Sequence, residues 1–231
     1  KYSSVPGSAM RRYKRAYNRN DSQRFEDWKN DSNSKASVSA TYPHQVLNMI
    51  DEDEQLAEKL WNNLPNLITT DEVMLPMIDV SGSMFGQPLQ IAISLGMYLA
   101  ERNKSEFKNR FLTFSDNPQI VTIQGLTLAE KFRNIGTADW GMNTDFEKAY
   151  TKLLELAKKH NVAPDSMPTM LLVLSDMQFD DSQNSGQWKT HYSWMEDEYE
   201  EDGYKLPKIV FWDLNAHSGQ QAQCSDENVA M

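Results

Sequence analysis

"MLPMIDVSGSMFGQP", residues Met74 to Pro88, passes from an apolar run into a carboxylate, two hydroxyls and a glycine, and then into a proline. A short run this apolar predicts a strand buried on both faces, as in a parallel sheet. Pro88 suits the first turn of a helix, and Leu89, Ala92, Ile93, Leu95, Gly96 and Leu99 follow at helical spacing. Strand, polar turn and helix in succession are the start of a βαβ unit. Asp79-Val80-Ser81-Gly82-Ser83 then stands beyond the carboxyl end of the strand, where open α/β sheets bind ligands.

The same alternation continues along the chain. The patterns predict strands at 72–79, 109–115, 119–123, 169–175 and 208–213, and helices at 88–102, 126–135, 144–160 and about 188–202. We therefore expect an α/β fold: a doubly wound, mostly parallel sheet flanked by helices, spanning 71–231. Upstream, Met10, Tyr13, Tyr17, Phe25 and Trp28 predict a helix over 8–30. Val46, Leu47, Ile50, Leu56, Leu60 and Trp61 predict another over 43–63, after a Ser/Asn-rich connection at 30–40. Residues 1–70 read as a helical N-terminal extension.

Composition narrows the function classes. The chain has 231 residues and a formal net charge of −10, which opposes whole-protein attraction to nucleic acid or an anionic membrane. Charge is unevenly spread: residues 1–20 hold Lys1, Arg11, Arg12, Lys14, Arg15 and Arg19 with no acid, whereas 196–202 is almost wholly acidic. Most such runs are solvated faces. One cysteine, Cys224, excludes an internal disulfide and fits a reducing compartment. No apolar run approaches the ~20 residues of a membrane span, and no signal peptide is evident. The expected location is intracellular. The first residue is Lys1 rather than Met, and we expect a piece of a longer chain.

Strand ends supply the candidate chemistry. Asp79, Ser81 and Ser83 follow the first strand, Thr144 and Asp145 precede the helix at 144–160, and Asp176 follows strand 169–175. Two carboxylates (Asp79, Asp176) and three hydroxyls (Ser81, Ser83, Thr144) make a hard-oxygen donor set suited to Mg²⁺ or Mn²⁺, with Ca²⁺ an alternative. Neutral hydroxyls leave much of the cation's charge uncompensated, so such a site favours capture of one further anionic oxygen. Gly82 is expected to let the loop turn sharply.

Competing chemistries lack their residues. A phosphate-binding P-loop needs a Lys that "GSMFGQP" does not contain. The nucleophile elbow needs Gly two residues before its Ser, where Asp79 stands. A haloacid-dehalogenase-type phosphatase needs a second carboxylate at position 81, which is Ser. The four histidines and Cys224 show no zinc spacing. Each polar residue also has a plain structural reading, as turn chemistry or helix cap.

Asp79-x-Ser81-x-Ser83 with Thr144 and Asp176 resembles the metal-ion-dependent adhesion site of von Willebrand factor A (vWA) domains. "DVSGSMFGQPLQIAISLGMYLAE", "DWGMNTDFEKAY", "VLSDMQFD" and "PKIVFWDLN" together resemble an uncharacterised family of vWA proteins of plants, fungi and large DNA viruses. "VPGSAMRRYKRAYNRNDSQRFEDW" resembles the segment that precedes the domain in that family. The family is in turn similar to the vWA half of Ro/TROVE ribonucleoproteins. The resemblance implies a divalent-cation-dependent protein-binding module, not an enzyme. Asp79, Ser81, Ser83, Thr144 and Asp176 would hold the metal, Asp145 would support it, and a protein partner would supply a carboxylate. It also implies that a larger helical region before this point, and a last strand and helix after it, are absent. An alternative is a Ro-like ribonucleoprotein component that binds RNA through that missing region or the basic segment 11–19. A metal-dependent hydrolase ranks below both.

Overall fold

A computed structural model describes residues 1–68, 72–113, 117–138, 146–176, 185–214 and 229–230, with no side-chain description of 146, 185–192 and 229–230. By its internal contacts the chain divides into two compact units. One comprises Lys1–Leu67 with Gln124–Gly136, the other Ile68–Ile123 with Thr137–Met231.

The second unit is the sheet. Strands β1 (Met74–Ile78), β2 (Arg110–Thr113), β3 (Ile120–Thr122), β4 (Met170–Ser175), β5 (Lys208–Asp213) and β6 (Val229–Ala230) lie in the order β3-β2-β1-β4-β5-β6. Every neighbouring pair is parallel except β2 with β3, which is antiparallel. The α/β, mostly parallel fold expected from the apolar runs is therefore present. The chain winds outward from β1 in one direction to β2 and β3, and in the other to β4, β5 and β6. The switch point lies between β1 and β4.

Alternation along the strands assigns the two faces. Leu75 and Met77 of β1, Leu171 and Val173 of β4 and Ile209 of β5 are buried in one cluster. Helices α7 (Phe146–His160) and α8 (Ser185–Glu201) complete it with Tyr150, Leu153, Leu154, Met195 and Tyr199. Tyr199 donates its hydroxyl to the Tyr150 carbonyl at 2.7 Å, so the buried phenol is not left unpaired. Its burial pushes the phenol's pKa well up. Ile78 and Leu174 point to the opposite face, where α5 (Gln87–Arg102) presents Gly96. An ideal Cβ at Gly96 would lie 2.3 Å from Ile78 Cδ1. Glycine here admits a close helix-to-sheet approach.

The first unit is helical: α1 (Gly7–Asn20), α2 (Ser22–Asn30), α3 (Pro43–Leu47), α4 (Glu54–Asn62) and α6 (Leu128–Ile135). The single helices expected over 8–30 and 43–63 are each broken. The first breaks at Asp21, whose φ of −152° is not helical. The second breaks before Asp53, which caps α4 by accepting the Leu56 N–H. Tyr2, Tyr17, Phe25 and Trp28 form the aromatic core, with ring centroids 4.9–5.8 Å apart. Tyr13, read as part of the apolar face, is half exposed. Helix α6, expected to belong to the sheet domain, groups with the N-terminal helices. Glu58 of α4 accepts the Leu128 N–H, and Thr127 and Glu130 form a capping box at the same end. No helix among the described residues is long and apolar enough to cross a membrane.

The Gly96–Ile78 contact yields a double-mutant test. Ile78→Val removes Cδ1 and is expected to cost about 0.5–1.5 kcal/mol alone. Gly96→Ala alone overpacks the same spot. Combined, they should be more stable than the sum of the singles by about 1 kcal/mol, read by urea denaturation. Strict additivity would show that the helix does not sit on Ile78.

Candidate metal centre

The carboxyl ends of β1 and β4 are adjacent because those strands pair in parallel from Met74↔Met170 to Ile78↔Leu174. One residue past that register, the Asp79 N–H donates to the Leu174 carbonyl at 3.0 Å. Asp79, Ser175 and Asp176 are all buried, Asp176 completely. Beyond Asp79 the chain makes a single 3-10 turn, Gly82–Met84, anchored by the buried Met84 side chain. This turn directs Ser81 and Ser83 back toward the strand ends.

A continuous run of oxygens results. The Ser81 N–H donates to Asp79 Oδ1 at 2.8 Å. The Ser81 and Ser83 hydroxyls are 3.0 Å apart, and Ser83 Oγ donates to Asp176 Oδ1 at 3.2 Å. On the far side Ser175 Oγ donates to Asp79 Oδ2 at 2.5 Å. Asp79, Ser81, Ser83 and Asp176 are thus brought together as the strand-end argument expected. Thr144 and Asp145 lie outside the described residues. The carboxylates are at the buried base and Ser83 is at the exposed rim. Phe85, two residues on, is 87% exposed beside it.

Electrostatics follow from burial. Loss of water pushes the Asp79 carboxyl above its ordinary value, and the Asp176 charge acts in the same direction. Hydrogen bonds from Ser175 and Ser81 oppose that rise. Among the described residues no basic side chain is one of the groups that act on Asp79. Two close, buried carboxyl groups with hydroxyls at hydrogen-bonding distance form a hard-oxygen set that fits a divalent cation such as Mg²⁺, Mn²⁺ or Ca²⁺. Among the described residues no group of three or more His, Cys, Asp or Glu side chains is placed to hold a metal ion.

Two readings of individual residues change. Gly82 is not the glycine that the loop requires: it lies in the 3-10 turn without a positive φ, and an added Cβ would meet nothing within 4 Å. Gly86 has that role, with φ 97° and ψ −131° at the start of α5. Ser175 belongs to the site and was not among the residues singled out. The signal was its place immediately before Asp176, on the strand that pairs with β1.

Fold and site define a doubly wound α/β protein with an oxygen-lined crevice at its switch point. The chain belongs to the family described as Domain of unknown function (DUF7788), which matches residues 74–231. It is similar to "Uncharacterized protein L728" of Acanthamoeba polyphaga mimivirus, at 27% identity over 95% of this chain and 42% of the relative. It also aligns with the crystal structure of the Deinococcus radiodurans Ro (RSR) protein, at 14% identity and a TM-score of 0.44, covering 89% of this chain and 38% of that one. The chain therefore spans less than half the length of either protein.

Two outcomes test this geometry. Gly82→Ala should change stability by no more than about 0.5 kcal/mol, whereas Gly86→Ala should cost about 1–3 kcal/mol in chemical denaturation. The second concerns pH. A carboxyl whose folded value is raised contributes stability that is present in acid and lost as pH rises through that value. In EDTA, wild type should lose this contribution as pH rises above the ordinary carboxylate range, and Asp79→Asn should flatten the decline. An unchanged profile would show that Asp79 is not held in a desolvated pocket.

Proposed function

We propose that this chain is a divalent-cation-dependent protein-binding module that docks an acidic side chain of its partner at the Asp79–Asp176 crevice. The observation that carries the reading is the hydrogen-bonded set Asp79, Ser81, Ser83 and Asp176 at the switch point. Its likeness to the adhesion-type metal site of vWA domains supports the same reading. Asp79 and Asp176 would hold the cation, directly or through water, and Ser81, Ser83 and Thr144 would offer hydroxyls. When bound, a divalent cation supplies a Lewis-acidic point that the neutral hydroxyls leave under-compensated, and a partner carboxylate completes it. Ser175 and the Ser81 N–H keep Asp79 oriented while the site is open. Phe85 adds an exposed apolar surface at the rim, as protein interfaces use aromatic side chains.

A metal-dependent hydrolase ranks below this reading, because two-metal hydrolysis needs a second set of ligands and no group of three or more His, Cys, Asp or Glu among the described residues is placed to hold a metal ion. The ribonucleoprotein alternative draws on the basic segment 11–19. There Lys14 lies 2.9 Å and Arg15 3.7 Å from Glu52, so part of that charge is satisfied within the chain.

Cation binding to the folded state alone should raise the thermal midpoint. At a hundredfold excess over Kd the gain is about 2.7 kcal/mol, or roughly 5–10 °C for a chain of this size. Mg²⁺ should give that shift in wild type, EDTA should remove it, and Asp79→Asn and Asp176→Asn should abolish it while circular dichroism remains native. Partner capture from extract should be lost with EDTA and with either variant. A wild-type protein indifferent to Mg²⁺, Mn²⁺ and Ca²⁺, with partner capture unchanged by chelator, would sink the proposal.

A further inference from the structure

The helical unit contains a groove of about 690 Å³, bordered by α1 and by the segment from α3 to Glu52. Its walls include Arg11, Arg12, Tyr13, Lys14, Gln45 and Glu52. Three cations thus face one carboxylate, in a chain whose net charge is −10. Glu52 is committed to Lys14 at 2.9 Å, with Arg15 at 3.7 Å. Arg11 and Arg12 have no ion pair among the described residues. Arg11 Nη1 is buried and finds no hydrogen-bond acceptor among them. Buried polar groups are nearly always hydrogen-bonded, and a buried charge without a counter-charge is costly. The guanidinium stays charged at neutral pH, so it cannot escape that cost by losing a proton. Burial and the Arg11 charge both push the neighbouring His44 pKa down, which keeps that imidazole from adding charge at neutral pH. Tyr13 shares the groove, and its side chain is half exposed although it sits on a helix with an apolar face.

We propose that this groove binds a phosphate-bearing ligand of mononucleotide size. The phosphate would lie on Arg11 and Arg12, and a flat ring would lie on Tyr13. Guanidinium forks match phosphate oxygens with paired N–H donors, and both arginines line the groove. The volume is within the ordinary range for small-ligand sites, about 300–1,000 Å³. Aromatic side chains accept nucleobases by stacking without regard to sequence. The site lies in the helical unit and shares no residue with the Asp79–Asp176 crevice, so it stands or falls independently of the cation reading.

The test is equilibrium dialysis of the full chain at low ionic strength, with AMP, adenosine, inorganic phosphate and a short single-stranded oligonucleotide as separate probes. AMP should bind saturably at one site, and adenosine at least about tenfold more weakly. Arg11→Gln should weaken AMP by about tenfold or more, and Arg12→Gln should also weaken it. Tyr13→Ala should weaken AMP several-fold while leaving inorganic phosphate unchanged. Arg12 is exposed, so Arg12→Gln carries the test should Arg11→Gln fail to fold by circular dichroism. No saturable AMP binding, equal affinity for adenosine, or indifference to both arginine substitutions would overturn the proposal. Tighter binding of the oligonucleotide than of AMP, with a steep salt dependence, would overturn it in favour of a nucleic-acid track.

Discussion

The parallel pairing of β1 with β4 is the contact on which both core and crevice depend. The two strands are far apart in sequence, yet their register aligns Leu75 with Leu171, Met77 with Val173 and Ile78 with Leu174. Those pairs divide the apolar side chains between the two helical layers. The same register places Asp79 beside Ser175 and brings Asp176 within reach of Ser83. A slip of one residue would send Leu75 and Met77 to the wrong face and separate the two carboxyl groups from their hydroxyl partners. Hydrophobic burial in the sheet therefore holds the polar site in place, and no polar contact has to do so alone.

Lys29 and Asp79, both buried, are compensated differently. In the helical unit Lys29 is enclosed, and its ammonium lies 3.0 Å from Asp53 and 2.7 Å from Glu26. The Lys29 charge thus has its opposites within the chain. At the strand ends, among the described residues, Asp79 has hydrogen-bond donors and a second carboxyl group as its neighbours, so it is oriented without a countercharge from them. Hydroxyl donors turn a carboxylate without supplying the countercharge that a lysine would. That arrangement leaves the crevice electrostatically incomplete among the described residues.

Much of this was legible in the sequence, because the informative signals were short in range. The apolar runs before Asp79 and Asp176 define strands that need no tertiary context, and the rule on strand carboxyl ends then places Asp79, Ser81, Ser83 and Asp176 together. The breaks at Asp21 and before Asp53 were harder to see, since apolar periodicity runs on through a cap. Gly82 drew attention because it lies inside the polar motif. The conformation that only glycine tolerates falls instead at Gly86, and φ leaves no mark on composition. Ser175 was obscured for another reason. Its role arises from inter-strand register, which a single strand's pattern does not contain. Tyr13 kept the helical spacing of a core residue but faces a groove.

The grouping of α6 with the N-terminal helices bears on how the chain is made. Leu128, Ala129 and Ile135 are buried, and the helix that carries them emerges from the ribosome only after β1, α5, β2 and β3. Glu58 and Glu54 wait on α4 for the backbone and side chains of that later segment. The amino-terminal unit, although synthesised first, cannot finish folding first. During translation the α4 carboxylates lack these partners until the intervening residues have been added.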